Sequence, residues 1–106
     1  MLYVQTDIAK AADYAGRAYK AAPKAPAIAD TYGWILFKQG QADKALPLLR
    51  EAHKGLPNNA EVQYHLAAVL AKKGEKGEAT DLVKKALAGD LPAALKPDAQ
   101  KLLEQL

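Results

Sequence analysis

His53 and His65 are the only imidazoles in this chain of 106 residues, and it contains neither cysteine nor serine. A zinc site built on the two histidines would need at least a third ligand, for which Glu61 and Asp90 are the nearest carboxylates in sequence. The histidines flank a single loop, and the competing reading makes both structural, on the surface or half-buried. Nucleophiles are scarcer still. Thr6, Thr31 and Thr80 carry the only serine-like hydroxyls, so thiol chemistry is excluded and a nucleophilic triad nearly so. The chain has no HExxH, P-loop, GxSxG or GxGxxG signature. Glu75 and Glu78 form an i, i+3 carboxylate pair at a helix start, where the helix dipole favours negative charge; they read as a solvated helix end. These residues predict a noncatalytic protein with no cofactor and no metal.

Binding chemistry leaves a clearer trace. Lys72, Lys73 and Lys76 cluster, as do Lys84 and Lys85, and Tyr64 stands near the first group. Glu61, Glu75, Glu78 and Asp81 interrupt these lysines, and arginine occurs only as Arg17 and Arg50. The net charge of +3 is spread along the chain, so a solvated basic edge is the expected reading and an RNA-binding repeat the remote alternative. No run of about 18 apolar residues is present, so no membrane insertion is expected. The start, Met-Leu-Tyr-Val-Gln-Thr-Asp, lacks the basic leader and apolar stretch of a signal peptide.

Any binding residue must be held by helices. Half the residues are hydrophobic, with 23 alanines and 15 leucines, both strong helix formers, while the β-branched residues that suit strands are scarce. One offset organises the chain. Gly40 and Gly74 are 34 apart, as are Pro23 and Pro57, Gln5 and Gln39, and Lys38 and Lys72. The triplets Leu2, Leu36, Leu70; Ala11, Ala45, Ala79; and Ala18, Ala52, Ala86 keep the same step. Each repeat reads as two helices. One covers 27–39, starts after Pro26 and stops at Gly40; its partner covers 43–54 before Gly55, Leu56 and Pro57. The next helix opens at Asn58, with Glu61 completing a capping-box-like arrangement, and runs to 73. Its partner covers 76–88. Pro47, near the fourth or fifth position of its helix, predicts a slight bend. Small residues mark the close approaches: Gly33 and Ala67 on the first helices, Ala45, Ala79, Ala52 and Ala86 on the second. Bulkier side chains there would push the axes beyond about 8–10 Å.

This pattern resembles the tetratricopeptide repeat, W-x2-L-G-x2-Y followed by Ala, an aromatic, Ala and Pro over 34 residues. Residues 26–59 supply Ala29, Tyr32, Gly33, Leu36, Ala45, Leu49, Ala52 and Pro57. Residues 60–93 supply Gln63, Leu66, Ala67, Leu70, Ala79, Val83 and Ala86, with Pro92 one place late. Residues 1–25 match the end of a first helix plus a second helix, so the chain reads as a fragment cut from a longer array. Residues 94–106 hold a capping helix with Ala99, Leu102, Leu103 and Leu106 on one stripe and Lys101, Glu104 and Gln105 outside. The fold class implied is an all-α, right-handed α-solenoid.

In this family the first helix of each unit lines a concave surface. Carried over by position, that surface comprises Tyr3, Asp30, Trp34, Phe37, Lys38, Asn58, Asn59, Glu61, Tyr64, Ala68, Ala71 and Lys72. The resemblance therefore implies a scaffold holding a peptide segment or a subunit. Trp34 either lines that groove or packs on the preceding repeat or the missing helix. The carboxylate clamp of chaperone cofactors is not carried over, because Asp30, Trp34 and Ala68 occupy its places. Two alternatives remain: the units form only the structural end of a longer solenoid, or the chain self-associates. The first helix lacks its own partner along Tyr3, Ile8, Ala11, Tyr14 and Ala15, so the N-terminal edge is expected to fray or to form a homodimer. A narrower resemblance rests on Pro26-Ala-Ile-Ala-Asp-Thr-Tyr-Gly-Trp-Ile-Leu and Tyr64-His-Leu-Ala-Ala-Val-Leu-Ala-Lys-Lys-Gly. These phrases are similar to the C-terminal repeats of large Gram-negative proteins, such as the lipoproteins of the PEP-CTERM/exosortase export system tied to exopolysaccharide. That implies a periplasmic or outer-membrane-associated parent, with a cytoplasmic one as the alternative.

Overall fold

The computed structural model describes the backbone from Leu2 to Leu106 and the side chains from residue 8 onward. The expectation for the Tyr3 side chain therefore lies outside the described residues. Among the described residues six helices follow one another: α1 Leu2–Ala21, α2 Pro26–Lys38, α3 Ala42–Gly55, α4 Ala60–Lys72, α5 Lys76–Ala88 and α6 Lys96–Gln105. No strand occurs among the described residues. The helices α2 and α3 pack as one pair and α4 and α5 as the next, with α3 against α4. α1 lies on α2, and α6 closes the other end on α5.

Glycine ends both first helices of the pairs in the same way. Gly40 and Gly74 have φ of 82° and 86°, a left-handed conformation that costs glycine least. The N–H of Gly40 donates to the Phe37 carbonyl and that of Gln41 to Leu36, both at 2.9 Å. The N–H of Gly74 donates to Ala71 at 3.1 Å and that of Glu75 to Leu70 at 2.9 Å. These are two Schellman motifs one repeat apart, and they turn the chain back antiparallel within three residues.

Two local expectations are corrected. The cap of α4 is Asn59, not Asn58: the Asn59 Oδ1 accepts from the Val62 N–H at 3.0 Å. The turn closed by the Asn59 N–H on the Leu56 carbonyl carries Asn58 outside the helix, and Glu61 falls one place short of a capping box. Pro47 is the sixth residue of α3 rather than the fourth or fifth. Its missing N–H would have paired with the Asp43 carbonyl, so one internal bond is lost. Both residues are exposed, and α3 continues unbroken to Gly55.

The core runs through the pairs as one main cluster, with a second, smaller one of Ala29, Ala52 and Val62. Its largest fully buried side chains are Leu49, Leu66, Leu70, Val69 and Val83. Ala45, Ala52, Ala67, Ala79 and Ala86 are all 0% exposed. A Cβ added at Gly33 would stand 3.0 Å from Leu49 Cγ and 3.2 Å from Leu48 Cβ, tighter than ordinary van der Waals contact. Polar bonds then tie each repeat to the next. Arg50 on α3 makes a bidentate pair with Glu78 on α5, at 2.9 and 3.0 Å. The Tyr19 hydroxyl donates to Glu51 at 2.9 Å, and Lys73 reaches Asp43.

Candidate functional site

Trp34 and Phe37 sit one helical turn apart on α2 because i and i+3 share a face. Their ring centroids are 5.3 Å apart. The face they share turns toward the start of α4, where Tyr64 and His65 arrive one repeat later. The Trp34 indole stacks on the His65 imidazole at 4.1 Å and 17° and meets Tyr64 at 5.8 Å. The Lys38 ammonium stands 4.9 Å over the indole, a cation–π distance. Trp34 is thus half-buried between Lys38 and His65, seated on the following repeat rather than on the preceding one.

Beneath this stack lies a polar pair. With Asp30 as the carboxylate, the His65 Nδ1–H donates to Asp30 Oδ1 at 2.8 Å. The two residues are 8% and 5% exposed. Asp30 therefore turns inward to His65 instead of facing a groove, and His65 is an interior residue whose Nδ1 is engaged. Among the described residues no three His, Cys, Asp or Glu side chains gather closely enough to hold a metal ion.

An open groove of about 310 Å³ runs across α2, α4 and α6, lined by Lys38, Tyr64, Ala68, Asp98, Lys101, Leu102 and Gln105. Burial pushes the Tyr64 hydroxyl pKa up, and the Asp98 carboxylate raises it further, so the phenol stays protonated and able to donate. Lys38, Asp98 and Lys101 are exposed, while Leu102 and Ala68 are half-buried. The groove thus offers ammonium groups, one carboxylate, one phenol and a short apolar floor.

The sequence-derived face divides in the structure. Lys38, Tyr64 and Ala68 meet in the groove, with Trp34 and Phe37 packed alongside the core beneath it. Ala71 is half-buried and Lys72 exposed toward the end of α4. Asn58, Asn59 and Glu61 lie elsewhere, around a separate depression with Asp90 and Pro92 at the α3–α4 loop. The Asn59 side chain is occupied as a cap. Sequence reasoning missed the wall contributed by α6. The signal was available: Asp98 and Leu102 are 34 residues after Tyr64 and Ala68, so the last helix occupies the place of a further first helix.

The tetratricopeptide repeat family model matches residues 36–106. The solved structure MamA MSR-1 C2 is similar at 25% identity and a TM-score of 0.73, over 97% of this chain. The chain spans 58% of the length of that structure. A search of curated proteins gives no match. The repeat of 34, the paired helices with their shared glycine stops and the family match over most of the chain lead to one assignment: the chain belongs to the tetratricopeptide repeat family.

Proposed function

We propose that this chain is a noncatalytic scaffold that holds a peptide segment of a partner protein in the groove between α2, α4 and α6. Proteins of this family generally act as noncatalytic scaffolds for protein partners. The observation that carries the reading is the groove lining, in which Lys38 and Lys101 flank Tyr64, Ala68 and Leu102. Apolar contacts beside a few polar groups suit an extended peptide: the apolar part anchors a side chain and the polar part fixes the backbone. Pre-formed rings lower the ordering cost of binding, because Trp34 and Tyr64 are already packed.

Peptides selected from a random library against the full chain provide the test. In amide chemical-shift maps the selected peptides are expected to move Lys38, Ala68 and Leu102, and Lys38→Glu with Lys101→Glu is expected to weaken them at least about tenfold. Both lysines are exposed, so the variant keeps its fold. Peptides that map to the α3–α4 loop, or that ignore the substitutions, refute the groove reading.

The phrases around Pro26 and Tyr64 support a parent in the PEP-CTERM/exosortase export setting, placed in the periplasm or at the outer membrane. Fractionation of cells holding the native protein checks this, and recovery from the cytoplasm alone refutes it.

A further inference from the structure

Lys38 and Lys72 are 34 residues apart and stand as the last residues of α2 and α4. Both are exposed, and neither joins an ion pair among the described residues. Nearby carboxylates are engaged elsewhere: Asp30 by His65 and Asp43 by Lys73. The Lys38 ammonium is held over the Trp34 indole, so part of its rotamer freedom is lost before any ligand arrives. These lysines lie one helical turn beyond Trp34 and Ala68, which occupy the places of the chaperone-cofactor clamp, so the cation pair is a different device. The groove beside them is rich in donors. Lys101, the protonated Tyr64 phenol and the Gln105 amide join Lys38 on its lining, against the single carboxylate of Asp98. A segment that satisfies these groups must bring acceptors and negative charge.

We propose that the groove selects a peptide with two acidic side chains three residues apart in a polyproline II conformation, one carboxylate meeting Lys38 and the other Lys72. This rests on the groove reading above and narrows it to one class of peptide. The spacing follows from the repeat register. The helices α2 and α4 touch through Trp34 and His65, and the same position on two packed helices recurs at the interaxial distance of about 8–10 Å. Polyproline II has three residues per turn and rises about 3.1 Å per residue, so i and i+3 share a face about 9 Å apart. A β-strand fails this test: i and i+3 point to opposite faces, and i and i+2 are only about 7 Å apart. A helix about 10–12 Å across is too thick for a groove of about 310 Å³. The residues between and beside the acids would lie over Ala68 and Leu102, the apolar floor. Asp98 on the far wall repels a third acid there, so the motif stops at two.

Three capped peptides provide the test: acetyl-Pro-Pro-Glu-Pro-Pro-Glu-Pro-Pro-amide, its isomer with the two glutamates adjacent, and the analogue with both glutamates replaced by glutamine. Each is titrated into the full chain and followed by amide chemical shifts. The spaced peptide is expected to saturate with a Kd below about 1 mM and to move Lys38, Ala68 and Lys72. It is expected to bind at least about threefold tighter than either control. Lys38→Gln and Lys72→Gln are each expected to weaken it about threefold, and Lys38→Arg to retain it. Lys84→Gln removes an exposed charge from α5 and is expected to leave binding unchanged. Equal affinity for the adjacent-glutamate isomer, an equal loss from Lys84→Gln, or no saturation up to about 1 mM overturns the proposal. Library-selected peptides that map to the groove without any acidic pair also overturn it, yet leave the groove reading standing. Shifts confined to the α3–α4 loop overturn both.

Discussion

Asp30 and His65 show how a repeat can hide its chemistry from a helical wheel. The pair is buried, and its 2.8 Å bond joins α2 to α4. Removing one partner leaves the other in a site made for two. His65→Phe preserves the stacking surface for Trp34 but strands the carboxylate, and it is expected to cost about 2 kcal/mol in a denaturant titration. Asp30→Leu combined with His65→Phe is expected to cost less than the sum of the two single changes, because no buried polar group is then unpaired. Additive losses would show that the two side chains do not act as a pair. Sequence alone places Asp30 on the first-helix face of its repeat. It does not say which neighbour that face meets, and a partner 35 residues away is one step off the period that organises everything else.

At the scale of elements, the Arg50–Glu78 bridge links two second helices across a repeat boundary. Its side chains are 47% and 43% exposed, so solvent screens it and its worth is at most about 1 kcal/mol. The Arg50 hydrogen bonds hold the Glu78 carboxyl below its ordinary value of 4.5, against a smaller opposing effect of burial. A carboxyl lowered in the folded state stabilises fully above the unfolded value, and that contribution fades as pH drops through the folded one. The stability difference between the parent and Glu78→Gln is therefore expected to be constant above pH 4.5 and to shrink as pH falls below it. A difference unchanged in acid would show that the bridge does not contribute. Element positions were legible because glycine and proline punctuate them: Pro26 opens α2, and Gly40 and Gly74 close α2 and α4. The cap of α4 was misplaced by one residue because Asn58 and Asn59 are chemically equivalent until the turn selects one. The part played by α6 in the groove was concealed by its polar outer positions, which read as an end cap.

The whole molecule is a short stack in which each pair touches its neighbours, so its stability is a sum of local units and the seams between them. Among the described residues the seams carry the hydrogen bonds Tyr19–Glu51, Asp30–His65 and Arg50–Glu78, and the middle of the stack holds the largest buried side chains. Trp34 is the only tryptophan, and its ring is clamped across one such seam against His65, Tyr64 and Phe37. That arrangement gives the protein an optical marker of its own. Ordered aromatic rings in close contact produce near-ultraviolet circular dichroism; the tyrosines contribute too, Tyr19 and Tyr32 touching between α1 and α2, but the long-wavelength indole component comes from Trp34 at the α2–α4 boundary, whereas the far-ultraviolet band sums the helices of the whole stack. On heating, the helical signal is expected to decline first, from α1, which packs chiefly on α2 and leaves Tyr14 71% exposed, while the indole component persists to a higher midpoint. Coincident transitions would instead mean that the stack melts as one cooperative body. A single chromophore in the central seam thus distinguishes loss of an end from loss of the whole, without a label.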